Sequence, residues 1–230
     1  MVFIFIFLVL IFLPVGFLFL FNYIPFSNSE YRKETGYSYL KVFSDLGLRG
    51  EYYTVSKLSK VKGYHRLVVN VYLPKEENKT TEIDVVFLHE SGVYVIESKN
   101  YSGWIFGREE DRNWMQVMGR QKNSFYNPIK QNDGHIKHLL SNVPSIPSYL
   151  IRSLIVFSER CTLKKIDVKS HHVYVFNRNK ISKYVDNTPR LNKQTIDAYY
   201  TELKRYSNVP ANIKGKHIKD IKNKQISSQS

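Results

Sequence analysis

The residues that can do chemistry lie in one stretch, Glu82-Ile83-Asp84 followed by Val95-Ile96-Glu97-Ser98-Lys99. Residues 83–88 and 93–98 read as two β-strands separated by His89-Glu90-Ser91-Gly92, a hairpin pattern. A turn centred between Glu90 and Ser91 sets Asp84 opposite Glu97 and Glu82 opposite Lys99. Side chains alternate faces with period two, so all four project from the same side. Directly opposed residues hold their Cβ atoms about 4.5–5.5 Å apart, and two carboxylates that close repel unless a cation compensates them. Hard carboxylate oxygens favour Mg2+ or Mn2+, usually completed by water and substrate phosphate. Lys99, on the same face, can orient or deprotonate a water, or steady charge developing on a phosphate oxygen. Such a set suits hydrolysis of a phosphodiester. A purely structural reading, with Glu82–Lys99 and Glu97–Lys99 as ordinary ion pairs at a sheet end, fits the residue types equally well.

The elements that must position these groups follow from pattern. Gly50–Leu58 reads as a helix with Val55 and Leu58 on one face, and Leu67–Leu73 as a β-branched strand stopped by Pro74. Lys75–Thr81 is a polar loop. Short strands are expected at 104–106, 114–117, 153–157 and 173–176. Asn127-Pro128 predicts an N-cap and first helical residue, opening a helix to about Leu140 that buries Ile129, Ile136, Leu139 and Leu140. A last amphipathic helix spans 191–206. This order predicts an α/β fold, a central mixed sheet flanked by helices.

Taken together, Gly50-Glu51, Glu82-Ile83-Asp84, Glu97-Ser98-Lys99-Asn100, Gly103, Trp114 and Asn127-Pro128-Ile129-Lys130-Gln131 resemble, in their order, the nuclease-related domain family of the PD-(D/E)xK nuclease superfamily. The likeness covers about residues 45–160. It implies a restriction-endonuclease-like core, a divalent cation (Mg2+ or Mn2+) and cleavage of DNA. By position it makes Asp84 and Glu97 metal ligands, Lys99 the base that orients water, Glu51 the helix acid completing the site, and Gln131 an accessory polar group. The chain departs from the superfamily's motif in lacking a proline before Asp84.

Read without that likeness, Glu51 is an acid that suits a helix N-terminus. Gln131, His135 and His138 form one helical stripe that reads as a solvated polar face, since no third ligand accompanies the two histidines. Trp104, Phe106 and Trp114 read as core rather than as a platform for bases.

The 230 residues carry 34 Lys and Arg against 20 Asp and Glu, a net charge of +14, which points to an acidic partner: DNA, another nucleic acid or anionic lipid. Only two alanines occur among many Lys, Asn, Ile and Tyr, a skew that raises lysine for compositional reasons as well. The single cysteine, Cys161, excludes an internal disulfide framework and a thiolate zinc cluster. Residues 1–21 carry no charge, and eight of the 14 phenylalanines fall within 1–26. That length suits a transmembrane signal anchor. No basic residue precedes the run and Arg32, Lys33 and Lys41 follow it, so the body is expected to face the cytoplasm. The expected organisation is an anchor over 1–26, a linker over 27–37, the nuclease-related domain over 38–208 and a basic, disordered tail over 209–230. Two other functions fit: a catalytically inactive module that binds nucleic acid at the membrane, and a lipid-surface scaffold.

Overall fold

The computed structural model describes residues 16, 20–76, 79–207, 209 and 215. Strands β1 (His65–Pro74), β2 (Thr80–His89) and β3 (Gly92–Lys99) form an antiparallel meander. Val85 pairs with Ile96 and His89 with Gly92, so Glu90 and Ser91 make the two-residue turn that the sequence predicts. β3 then pairs in parallel with β7 (Ile151–Phe157), and β7 with β9 (Val173–Asn177). The result is a five-stranded mixed sheet ordered β1-β2-β3-β7-β9. Parallel neighbours need a long crossover. Between β3 and β7 it includes a helix, α4 (Pro128–Asn142).

The same crossover holds three strands of a second sheet, which the expectation of one central sheet did not include. β4 (Gly103–Arg108), β5 (Asn113–Met118) and β6 (Gln121–Tyr126) run antiparallel, and β8 (Cys161–Asp167) joins β4 in parallel, giving the order β6-β5-β4-β8. β6 and β8 are largely exposed, so neither needs the apolar run that marks a buried strand.

Both faces of the main sheet are covered. On one, α3 (Leu46–Leu58) sets Tyr52, Val55 and Leu58 against Val85, Phe87, Tyr94 and Ile96. On the other, Leu139 of α4 with Ile196 and Leu203 of α5 (Lys193–Ser207) cover Val86, Leu88, Val93 and Val95. A third cluster joins the small sheet to the large one, with Trp114 stacked on Phe157 at 6.1 Å between centroids. Asn127 caps α4 by accepting from the Ile129 N–H, and its Nδ2 donates to the carbonyls of Arg108, Glu109 and Asp111. Trp104, expected in the core, is 51% exposed with the Lys164 ammonium over its ring.

Residues 27–37, expected as a linker, belong to the packed body. Ser29 caps α1 (Glu30–Thr35), Tyr31 of that helix is fully buried, and α2 (Tyr39–Ser44) follows at once. Phe26, at the end of the expected anchor, meets the rings of Tyr39, Phe43 and Tyr52 edge-on. Residues 20–27 are helical, whereas 1–15 and 17–19 of the expected anchor lie outside the described residues. Among the described residues no helix is long and apolar enough to cross a membrane. Of the expected tail, only Val209 and Gly215 are described.

Because Tyr31 is buried in this core, Tyr31→Ala is expected to cost about 3–5 kcal/mol of stability in urea unfolding. A loss below about 1 kcal/mol would mean that α1 is only loosely attached.

Candidate active site

The site forms where the alternation of the first hairpin breaks. Val85 and Phe87 face the α3 side and Val86 and Leu88 the α4 side, yet Ile83 also faces the α4 side. On β1, Val69 lies on the α3 side while Val71 and Leu73 lie on the other. The slip falls at Asn70 and Asp84, which the pairing skips between Val69–Val85 and Val71–Ile83. Asn70 there has φ 55°, a left-handed conformation that costs a non-glycine residue about 1–3 kcal/mol and gathers at functional sites.

This slip corrects the expected geometry. Glu82 does not share a face with Glu97 and Lys99. It sits opposite Tyr72 and acts electrostatically on Glu51 and Tyr37 on the α3 side. Nor does Asp84 pair with Glu97 in the ladder, which ends at Val85 and Ile96. The Asp84 carboxylate instead accepts the Ser98 N–H at 2.8 Å, holding β3 where the strands part.

Glu97 is 2% exposed, and both of its oxygens are engaged. Lys99 Nζ lies 2.7 Å from Oε1, and His135 Nε2 lies 3.1 Å from Oε2. An ionised carboxylate only accepts, so His135 Nε2 carries the hydrogen, and Thr81 Oγ1 holds the ring's other nitrogen at 2.8 Å. Lys99 Nζ also donates to Gln131 Oε1 at 3.0 Å. Glu51 enters from α3 and accepts from the Tyr31 hydroxyl at 3.0 Å. Gly50 permits that approach, because a Cβ there would stand 2.7 Å from the Asn100 Cβ.

The charges are unevenly matched. Burial alone would raise the Glu97 carboxyl, but Lys99 and then His135 outweigh it and hold the pKa at about 2. Burial pulls the Lys99 ammonium down, but Glu97, then Tyr101 and Asp84, together outweigh it and leave it raised. Asp84 is raised well above the ordinary carboxylate range, by burial first, then by Glu97 and Glu51. Glu51 is pushed up to about 8 by burial and by Glu82, a rise that the Tyr31 hydrogen bond only partly offsets. Both acids are thus harder to ionise than an ordinary carboxyl, for want of positive charge.

The structure therefore brings Glu97, Lys99 and Gln131 into direct contact, sets Asp84 beside them through Ser98, and places Glu51 on the neighbouring helix turn. His135 was misjudged from sequence: it is buried against Glu97, not part of a solvated stripe. Tyr31 was missed because its surroundings looked like a linker. A buried aromatic hydroxyl on a six-residue helix leaves no period to read.

A mixed α/β domain with buried acids and a lysine at the end of a central sheet is the class that this geometry defines. Residues 46–158 match the family model described as a nuclease-related domain. The chain is also 33% identical over 186 residues to an uncharacterized protein of Bacillus anthracis, covering 77% of this chain and 84% of that relative. It belongs to the nuclease-related domain family. No solved structure matches it.

An acid whose pKa is higher folded than unfolded favours the folded state while it keeps its proton. The Glu51 contribution is therefore full below its ordinary 4.5 and lost as pH rises through about 8. Glu51→Gln, uncharged throughout, is expected to lose less stability than the unaltered chain between about pH 5 and pH 9 in denaturant titrations. Parallel pH profiles would contradict the assignment.

Proposed function

We propose that this chain is a membrane-tethered, divalent-metal-dependent nuclease that hydrolyses DNA phosphodiesters at the Asp84–Glu97–Lys99 cluster. The observation that carries the reading is the placement of Asp84, held on the Ser98 N–H, beside the Glu97–Lys99 pair at the end of a central sheet, with Glu51 entering from α3. The family match and the net charge of +14 support it. So does the meander β1–β3 joined in parallel to β7 through α4, an order compatible with a restriction-endonuclease-like core.

The donor chemistry fits Mg2+ or Mn2+. Asp84 and Glu97 offer hard carboxylate oxygens, and added positive charge would lower the raised Asp84 carboxyl. Asp84 and Glu97 would hold the ion, which when bound supplies a Lewis acid and a water of lowered pKa. The remaining work falls to the chain itself. Gln131 fixes the Lys99 amine and His135 fixes the Glu97 carboxylate. Burial pulls the Lys99 ammonium down, and Glu97 is the largest influence opposing it. Where the Glu97 charge is shared, burial favours the neutral amine, which can take a proton from an attacking water. Glu51, hydrogen-bonded to Tyr31, completes the acid set from α3.

The tether rests on the uncharged run 1–21 and on the helical residues 20–27, where Leu20, Phe21 and Ile24 are exposed. The charges after the run support a body facing the cytoplasm.

One observation favours a second reading, a nuclease-fold module that binds nucleic acid at the membrane without cutting it. Both Glu97 oxygens are occupied, and among the described residues no group of three His, Cys, Asp or Glu is arranged to hold a metal.

Incubation of the full chain with single- and double-stranded DNA and Mg2+ or Mn2+ separates the two. Cleavage is expected, falling by about 100-fold or more in Asp84→Asn and in Lys99→Met. DNA binding that is indifferent to EDTA, with no cleavage under any condition, would establish the binding module instead.

A further inference from the structure

Beside the acid cluster lies a cavity of about 540 Å³ that the chemistry above does not use. One wall is a stripe of α3 and the turn after it, where Arg49, Tyr53, Lys57 and Lys60 recur at helical spacing. The facing wall carries Arg160 and Arg178, and Glu159 is the acid among the lining residues. Arg160 is fixed by donating to the Asn100 carbonyl at 2.7 Å.

Arg178 is the unusual member. It is 3% exposed, its Nε donates to Thr54 Oγ1 and its Nη1 to Glu159 Oε2, each at 3.1 Å. Its Nη2 is buried with no hydrogen-bond partner. A buried guanidinium with an idle donor is costly, and a fork of this shape matches phosphate oxygens. The cavity is also joined to the acid cluster. Asn100 follows Lys99 directly, the Ser158 N–H donates to the Lys99 carbonyl at 2.9 Å, and Arg49 lies two residues from Glu51. Tyr53 adds an exposed ring on which a base can stack, and the volume is in the range of small-ligand sites.

We propose that this cavity is a phosphate-binding subsite that takes one nucleotide of a nucleic-acid strand passing over the acid cluster, the phosphate held by Arg49, Lys57, Lys60 and Arg160 and completed by Arg178. The proposal deepens the nuclease reading by assigning where the strand is gripped. It rests on that reading for the strand's identity, but not for the pocket's affinity for phosphate.

The test is fluorescence anisotropy of an end-labelled single-stranded oligonucleotide with the full chain in EDTA, titrated with salt. Lys57→Gln/Lys60→Gln removes two exposed charges from the cavity rim, and thermal melts check that the fold survives. Affinity is expected to fall by about 10-fold, and the slope of log affinity against log salt by about 0.7, the value for one lost strand phosphate. Inorganic phosphate should compete with the oligonucleotide on the unaltered chain and much less on the variant. The charge-matched pair Lys122→Gln/Lys137→Gln, away from the cavity, should change affinity by less than about 3-fold. Equal losses in both pairs would overturn the proposal in favour of diffuse attraction. Loss of binding to phosphatidylserine vesicles but not to the oligonucleotide would overturn it in favour of a lipid surface. If Lys57→Gln/Lys60→Gln does not fold, Arg49→Gln carries the same expectation. A chain that never cleaves but whose binding depends on the rim lysines refutes the nuclease and keeps the pocket. One that cleaves, with binding indifferent to them, does the reverse.

Discussion

Keeping a carboxylate ionised inside a protein requires partners on both of its oxygens, and Glu97 has them in Lys99 and His135. Much of the site follows from that arrangement. Lys99 must lie two residues further along the same strand face, Gln131 must hold its free side, and His135 must come from the crossover helix that links β3 to β7. Thr81 then orients the imidazole from β2. Removing one partner would leave an uncompensated buried charge, so the cluster is a structural unit whatever reaction it serves.

Around that satisfied pair the neighbouring acids are left wanting. Asp84 and Glu51 are both raised because burial and mutual repulsion outweigh the donors that reach them, the Ser98 N–H and the Tyr31 hydroxyl. Such a mismatch opposes folding unless something supplies positive charge, and strain at Asn70 accumulates at the same point. The basic cavity next door has the opposite imbalance, a surplus of guanidinium and ammonium groups around one glutamate. Opposed deficits on adjoining walls suit a ligand of phosphates and cations better than they suit an inert scaffold.

The hairpin register could be read in the sequence because a two-residue turn between apolar runs admits few alternatives, and the pairing from Val85–Ile96 to His89–Gly92 follows it. Extrapolating that register to Asp84 failed, because nothing in the pattern announces a left-handed asparagine on the neighbouring strand. The helix 128–142 was visible from its Asn-Pro start, yet its polar stripe was misjudged: His135 is buried by a carboxylate that is distant in sequence, and no periodicity encodes such a partner. β6 and β8 escaped notice because they bury little. The cationic stripe Arg49–Tyr53–Lys57–Lys60 was legible in principle, but its meaning depends on Arg178, some 120 residues away in the chain.

The central claim is that the acids at the end of β3 form a cation site, with Lys99 occupying it in part through Glu97. Anomalous diffraction from crystals of the full chain soaked in Mn2+ addresses this directly. The account expects one strong peak bounded by Asp84 and Glu97, with the Lys99 ammonium moved off Glu97 Oε1. A structure with no peak there, and with Lys99 and His135 still closing both Glu97 oxygens, would contradict it.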